Sequence, residues 1–84
     1  MDALTATFVS HVGAMRFCRQ CASAGWDARL MPVPRALSSS CGTCVRYEAP
    51  AGELFPSDDV HTDELELVAK EEDGRYVTVW EHEG

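Results

Sequence analysis

Short runs of apolar and β-branched residues alternate with polar segments along this chain, and they predict a small domain of mixed strand and helix. Residues 4–9 combine apolar, aromatic and threonine side chains, which favours a first strand. Ser10 is a preferred N-cap, and the spacing after it predicts a helix to about Ala24, where Gly25 favours the stop. We expect its buried stripe to contain Ala14, Met15, Cys18, Cys21 and Ala22.

The middle of the chain predicts two further strands. Residues 28–33 indicate a strand that lies at the edge of a sheet or ends at its prolines, because Pro32 and Pro34 lack the backbone N–H that a central strand would need. Residues 43–47 alternate in a way that suits a third strand.

The acidic C-terminal part, residues 57–84, predicts a second helix and a last strand. The helix would lie within residues 57–73, with Thr62 as its cap and an inward side formed by Leu65, Val68 and Ala69. Residues 75–81 are rich in aromatic and β-branched side chains, which favours a strand.

The resulting order, β-α-β-β-α-β, predicts an α+β fold of the ferredoxin-like type. In this sandwich a four-stranded antiparallel sheet carries both helices on one face. A right-handed crossover through the first helix would place the first and third strands side by side in the centre and the second and fourth strands at the edges. We expect one domain over residues 1–84.

Charge is divided unevenly along the chain. Residues 1–46 carry five arginines against two aspartates, a net +3, whereas residues 47–84 carry twelve acidic residues against Lys70 and Arg75, a net −10. The total of −7 would repel a phosphate backbone, so we expect no nucleic-acid partner.

The cellular compartment bears on the four cysteines. No apolar run approaches the roughly 20 residues that a membrane span needs, and the first residues do not resemble a signal peptide. We therefore expect no membrane association and a cytoplasmic protein whose thiols are reduced. In that compartment paired cysteines are more often metal-binding, catalytic or simply buried than disulfide-bonded.

The segment from Pro32 to Cys44 is where chemistry is expected. It places Cys41 after three hydroxyl side chains and before Gly42. Hydroxyls can satisfy local backbone amides, and glycine allows a close approach of the backbone. This composition indicates a shaped, exposed loop centred on one thiol, with the neighbouring candidate binding residues Arg35, Ser38, Ser39, Ser40, Gly42 and Arg46.

These residues resemble the DUF3343 family of selenium/sulfur carrier protein-like domains. The resemblance begins at the first strand and Ser10-His11 and is sharpest over residues 29–35, 38–42 and 46–47. It covers roughly residues 4–48 and fades after Ala49, where the chain is longer and more acidic than the family pattern.

The resemblance implies a βαββαβ domain in which Cys41 carries sulfur or selenium, as a carrier protein rather than a catalyst. It implies a donor enzyme such as a cysteine desulfurase-like protein and an acceptor protein. We expect no cofactor, with zinc as the alternative. Only a thiolate is nucleophilic, and a free cysteine has a pKa of about 8.5, so positive charge or amide donors are needed nearby. Arg35 and Arg46 are the candidate cations, and the amides of residues 39–42 are a candidate anion-binding nest.

Two other uses of the cysteines follow from their spacing. Cys41 and Cys44 could act as a redox pair, with Cys44 resolving, but only if residues 41–44 form a helical turn. Along a strand their Cα atoms would be about 10 Å apart, beyond the reach of a disulfide. Separately, two C-x2-C pairs match a four-cysteine zinc pattern made of Cys18, Cys21, Cys41 and Cys44. The first pair falls on a helix stripe, which favours buried cysteines instead.

Overall fold

The computed structural model describes residues 1–83, which form five strands and one helix. In chain order the elements are β1 (Asp2–Phe8), α1 (His11–Ser23), β2 (Ala28–Pro32), β3 (Thr43–Ala49), β4 (Leu65–Glu72) and β5 (Arg75–Glu81). No helix among the described residues is long and apolar enough to cross a membrane.

All five strands belong to one antiparallel sheet in the order β2-β3-β1-β4-β5. The central strand β1 pairs with β3 on one side and with β4 on the other. The chain leaves β1 through α1, returns as the edge strand β2, and then enters the gap between them as β3. The predicted edge position of the second strand is therefore confirmed, and Pro32 is its last residue.

The predicted ferredoxin-like sandwich, a four-stranded sheet with two helices, is wrong in the second half of the chain. Residues 57–64 contain no helix, and the helix predicted over residues 57–73 is replaced by an irregular segment followed by β4. β4 and β5 form a hairpin beside β1, so the sheet gains a fifth strand and α1 remains the one helix within residues 1–83.

A β-bulge explains why β4 resembles a helix in sequence. Thr7 pairs with Leu67 and Phe8 pairs with Leu65, which leaves Glu66 as an extra residue in β4. Residues three apart normally point to opposite faces of a strand, but the extra residue brings Leu65 and Val68 to the same face. The spacing that predicted a helical stripe is therefore the spacing of a bulged strand.

Aromatic packing joins α1 to the sheet. The Phe17 ring lies 5.5 Å from that of Phe8 in β1 and 5.0 Å, edge-on, from that of Tyr47 in β3. Trp26, just after the helix, stacks on Tyr47 with ring centroids 6.1 Å apart. The Tyr47 hydroxyl donates a hydrogen bond to the carbonyl of Leu54 at 2.7 Å, which ties the segment after β3 to the core.

The helix begins as predicted but turns a different side inward. The Ser10 hydroxyl caps it by accepting a hydrogen bond from the Gly13 N–H at 3.1 Å. Met15 and Ala22, both expected to be buried, are exposed, and Phe17 is the large side chain that packs inward. The buried helix residues are Gly13, Ala14, Phe17 and Cys21.

Two buried ionisable groups of this core favour their neutral forms. Burial, and then the negative charge of a neighbouring Cys18 thiolate, raises the pKa of Cys21 to about 12. Burial, and then charge on Cys21, also raises the pKa of Tyr47 above its ordinary value. At alkaline pH, Cys21 and Tyr47 of the folded protein therefore keep protons that they would release in the unfolded chain.

We predict that Phe17→Ala lowers the free energy of unfolding by about 3–5 kcal/mol, because it removes the ring between two others and leaves a cavity. Met15→Ala, on the same helix and 40% exposed, is the matched control and should cost less than about 1 kcal/mol. Urea unfolding of both variants measures the difference. Equal losses would contradict the assigned helix orientation.

We also predict that alkaline pH destabilises the fold. The contribution of Cys21 to stability is fully present below pH 9.0 and is lost as the pH rises toward about 12, because Cys21 ionises only in the unfolded chain over that interval. Each such group contributes a slope of about 1.4 kcal/mol per pH unit. Urea midpoints measured from pH 8 to 11 should show a flatter slope for Cys21→Ala than for wild type, whereas Met15→Ala should keep the wild-type slope.

Candidate functional site

Ends of all five strands and the start of the helix meet at one end of the sheet. β1, β2 and β5 finish there, β3 and β4 begin there, and α1 follows directly after β1. Residues 33–42, the connection between β2 and β3, lie across this end, and we call them the cysteine loop. Its base is closed by a hydrogen bond from the Val33 N–H to the Gly42 carbonyl at 3.2 Å.

Cys41 is the half-buried thiol of this loop and packs against the core on the helix side of the sheet. Its Sγ donates to the Thr43 carbonyl at 3.3 Å and lies 3.8 Å from the Ser39 hydroxyl. The His11 ring lies 3.4 Å from the Thr43 hydroxyl, which places the first helical turn over the start of β3. The thiol is thus fixed in direction while part of its surface stays open.

The serines before Cys41 attach the loop to two other strands. The Ser39 hydroxyl donates to the Phe8 carbonyl, the last residue of β1, at 2.8 Å. Ser40 uses both its groups on Glu66 of β4, with its N–H 3.2 Å from one carboxylate oxygen and its hydroxyl 2.7 Å from the other. The loop therefore reaches from the edge strand β2 across β3 and β1 to β4.

Gly42 makes the turn from the loop into β3 possible. Its φ is +74°, in the left-handed region that side chains with a Cβ adopt only with strain. A glycine at this position is therefore a backbone requirement that fixes where Cys41 lies relative to the start of β3.

The two candidate arginines occupy different places in the structure. Arg46 is paired with Glu71 at 3.7 Å and neighbours Thr5 and Arg29 in register, on the sheet face opposite the helix. Arg35 is exposed in the turn that the Leu37 N–H closes on the Pro34 carbonyl. Among residues 1–83, neither arginine has a hydrogen bond or ion pair to Cys41.

Ser38 is exposed and has no hydrogen bond to Cys41 among the described residues. It lines an open cavity of about 350 Å³ together with Val9 and Glu66. Of the six candidate binding residues, Ser39 has a side-chain contact with Cys41, and Ser40 and Gly42 are its neighbours in the chain.

Cys44 lies inside β3 and is fully buried on the face opposite the helix, beside Thr7 in register. Its Sγ donates to the Pro32 carbonyl at 3.7 Å. Burial, and then charge on Cys41, raises the pKa of Cys44. Residues 41–44 do not form the helical turn that a redox pair would require, and both thiols are free.

The four cysteines do not form one cluster. Cys18 and Cys21 lie on α1, and burial raises the pKa of Cys18 as it does that of Cys21. No group of three or more histidine, cysteine or acidic side chains in the described part of the chain is placed to hold a metal ion. The zinc-like spacing therefore spans residues that the fold separates into helix, loop and strand.

Sequence reasoning missed Glu66, the residue that most directly contacts the loop. The sequence predicts it within a helix, whereas in the structure it is the bulge residue of β4 and its carboxylate accepts two hydrogen bonds from Ser40. The sequence held one signal for this contact, the predicted anion-binding nest formed by the amides of residues 39–42. A backbone N–H that is free to bind an anion is expected to bind a carboxylate in the folded chain.

One comparison with known proteins bears on this site. A family model described as "Putative Se/S carrier protein-like" matches residues 3–55, which is more than half of the chain. The matched segment runs from β1 through β3 and contains the whole cysteine loop, and it ends before β4. No curated protein and no solved structure matches the chain.

Proposed function

This chain belongs to the putative Se/S carrier protein-like family, and we propose that it carries one sulfur or selenium atom on Cys41. The observation that best supports this proposal is the position of Cys41 just before the start of β3. Cys41 is a half-buried residue of the loop. The serines before it are hydrogen-bonded to Phe8 and Glu66, and Gly42 after it has a left-handed backbone conformation. Such a loop presents one sulfur in a defined direction.

The other thiols fit a structural role better. Cys21 and Cys44 are fully buried, and burial raises the pKa of both. A thiolate at either position would have to form in a desolvated site, which is unfavourable. Cys18 is half-buried on the helix, outside the loop, and its pKa is raised as well. These features leave Cys41 as the thiol suited to exchange with another protein.

The transfer proceeds by exchange at a sulfane sulfur and needs no added oxidant. The Cys41 thiolate attacks the outer sulfur of a donor persulfide and forms a new S–S bond. The donor's own S–S bond breaks, and its electron pair leaves on the donor cysteine as a thiolate. A second exchange of the same kind moves the outer atom to an acceptor thiolate and regenerates Cys41. A selenium atom in the outer position follows the same steps.

Local hydrogen bonds support an anionic adduct once the proton has left. The Cys41 thiol now donates to the Thr43 carbonyl, and this bond is lost on ionisation. The Ser39 hydroxyl, 3.8 Å from Sγ, can rotate from the Phe8 carbonyl and donate to sulfur instead. In this proposal Ser39 is the nearest neutral donor to the carried atom.

The proposal requires that a partner protein docks where the loop is exposed. Val9 and Val12, at the end of β1 and in the first turn of α1, are 47% and 60% exposed at this end of the sheet. A cysteine desulfurase-like donor and a thiol-bearing acceptor are the partners this proposal requires.

We predict that incubation with a cysteine desulfurase and L-cysteine adds the mass of one sulfur atom at Cys41. Peptide mass mapping without reductant locates the adduct, and a later reductant should remove it. Cys41→Ser should abolish the gain, because no other thiol of the chain combines exposure with a fixed loop position.

Cys44→Ser is the matched control, since it removes a thiol three residues away and should leave the gain intact. Equal urea midpoints for the two variants would show that both are folded. Sulfur gained by Cys41→Ser would contradict the proposed carrier site. A Cys41–Cys44 disulfide formed under mild oxidation would favour a redox function instead.

A further inference from the structure

A groove of about 430 Å³ lies between α1 and the irregular segment that follows β3. The helix contributes four polar side chains to it, those of Arg16, Arg19, Gln20 and Ser23. Their spacing places them on one side of α1, because residues three and four apart are neighbours on a helix surface. The groove has the volume of a site for a small molecule.

The wall opposite the helix is held in place by its own contacts. Just before it, the Phe55 ring packs edge-on against Trp80 with ring centroids 5.9 Å apart. The Ser57 hydroxyl donates a hydrogen bond to the Asp59 carboxylate, which gives that carboxylate a defined direction. The Gln20 side-chain amide lies 3.5 Å from the Asp59 carbonyl, so the two walls meet at this point.

The two walls carry opposite charges that do not pair with each other. Arg19 forms no ion pair within residues 1–83, and Arg16 reaches Glu64 at 4.0 Å. Asp59 forms no ion pair with either arginine in this part of the chain, although it supplies the one carboxylate among the described residues that line the groove. A positive side and a negative side therefore face a shared open space.

We propose that this groove binds a free α-amino acid, with its carboxylate against Arg16 and Arg19 and its ammonium group against Asp59. Guanidinium groups bind carboxylates through paired, charge-assisted hydrogen bonds, and an ammonium group donates to a carboxylate. A ligand with one charge alone would be repelled by one of the two walls. Ala24 and Pro56 supply apolar lining, which suits a small apolar side chain.

Titration of the folded protein with three related probes, followed by amide NMR spectra, tests this inference. L-Alanine carries both charges, N-acetyl-L-alanine keeps only the carboxylate, and L-alaninamide keeps only the ammonium group. We expect alanine to bind with a dissociation constant of about 1 mM and each single-charge probe to bind roughly ten times more weakly, because each loses a charged hydrogen-bonding group. The amide signals that shift should be those of residues 16–24 and 56–59.

Asp59→Asn should weaken alanine binding about tenfold, because it removes the charge that faces the ammonium group and keeps an acceptor for Ser57. Asp58→Asn is the matched control, since Asp58 is exposed, adjacent in the chain and absent from the groove lining. It should bind alanine as wild type does. Arg19→Gln should weaken alanine binding about threefold, because Arg16 remains on the same wall.

Alanine that does not bind, or binds no more tightly than either single-charge probe, would overturn the inference. Equal losses in Asp59→Asn and Asp58→Asn would overturn it as well, since they would indicate a general effect of surface charge. Equal urea midpoints would show that the compared proteins are folded. No residue of the cysteine loop is among the described residues that line the groove, so failure of this test leaves the carrier proposal standing, and failure of the sulfur-gain test leaves this one standing.

Discussion

Phe17 lies between Phe8 of β1 and Tyr47 of β3, and these ring contacts at 5.5 and 5.0 Å attach the helix to the two strands on which the site depends. With α1 held there, its first turn lies over the start of β3, where His11 meets Thr43. The same packing buries Cys21 and Tyr47. The position of Cys41 follows from this core, because the loop that bears it spans the ends of the same strands.

The two parts of the chain contribute differently to the site. Residues 3–55, the part that matches the carrier family, supply the thiol, the serines and the left-handed glycine. The acidic C-terminal hairpin lies outside that match, yet its bulge supplies the carboxylate that holds Ser40. The first part therefore supplies the loop and its thiol, and the second part supplies a carboxylate that holds the loop.

The first half of the fold was predictable because its signals are local. The Ser10 cap, the proline that ends β2 and the β-branched run of β1 each act within a few residues. Which side of α1 faces the sheet was harder to predict, since Met15 and Phe17 are both apolar. Only contact with Phe8 and Tyr47 decides that Phe17 is the buried one. The loop around Cys41 was found from its glycine and hydroxyls.

The second half was not predictable, because a long-range contact decides it. Leu65, Val68 and Ala69 have the spacing of a helical stripe, and the residues around them are good helix formers. Pairing with β1 overrides that preference and leaves Glu66 as a bulge. The environment of Cys41 was misjudged for the same reason, since a carboxylate from another strand lies beside the loop, and Arg46 pairs with Glu71.

The central claim is that the fold sets Cys41 apart from three structural cysteines, and the order in which the thiols of the folded protein react tests it most directly. Brief treatment with iodoacetamide at neutral pH, followed by peptide mapping, gives a rate for each. We predict that Cys41 is modified first, Cys18 more slowly, and Cys21 and Cys44 only on unfolding. Modification of Cys18 or Cys44 ahead of Cys41 would contradict it.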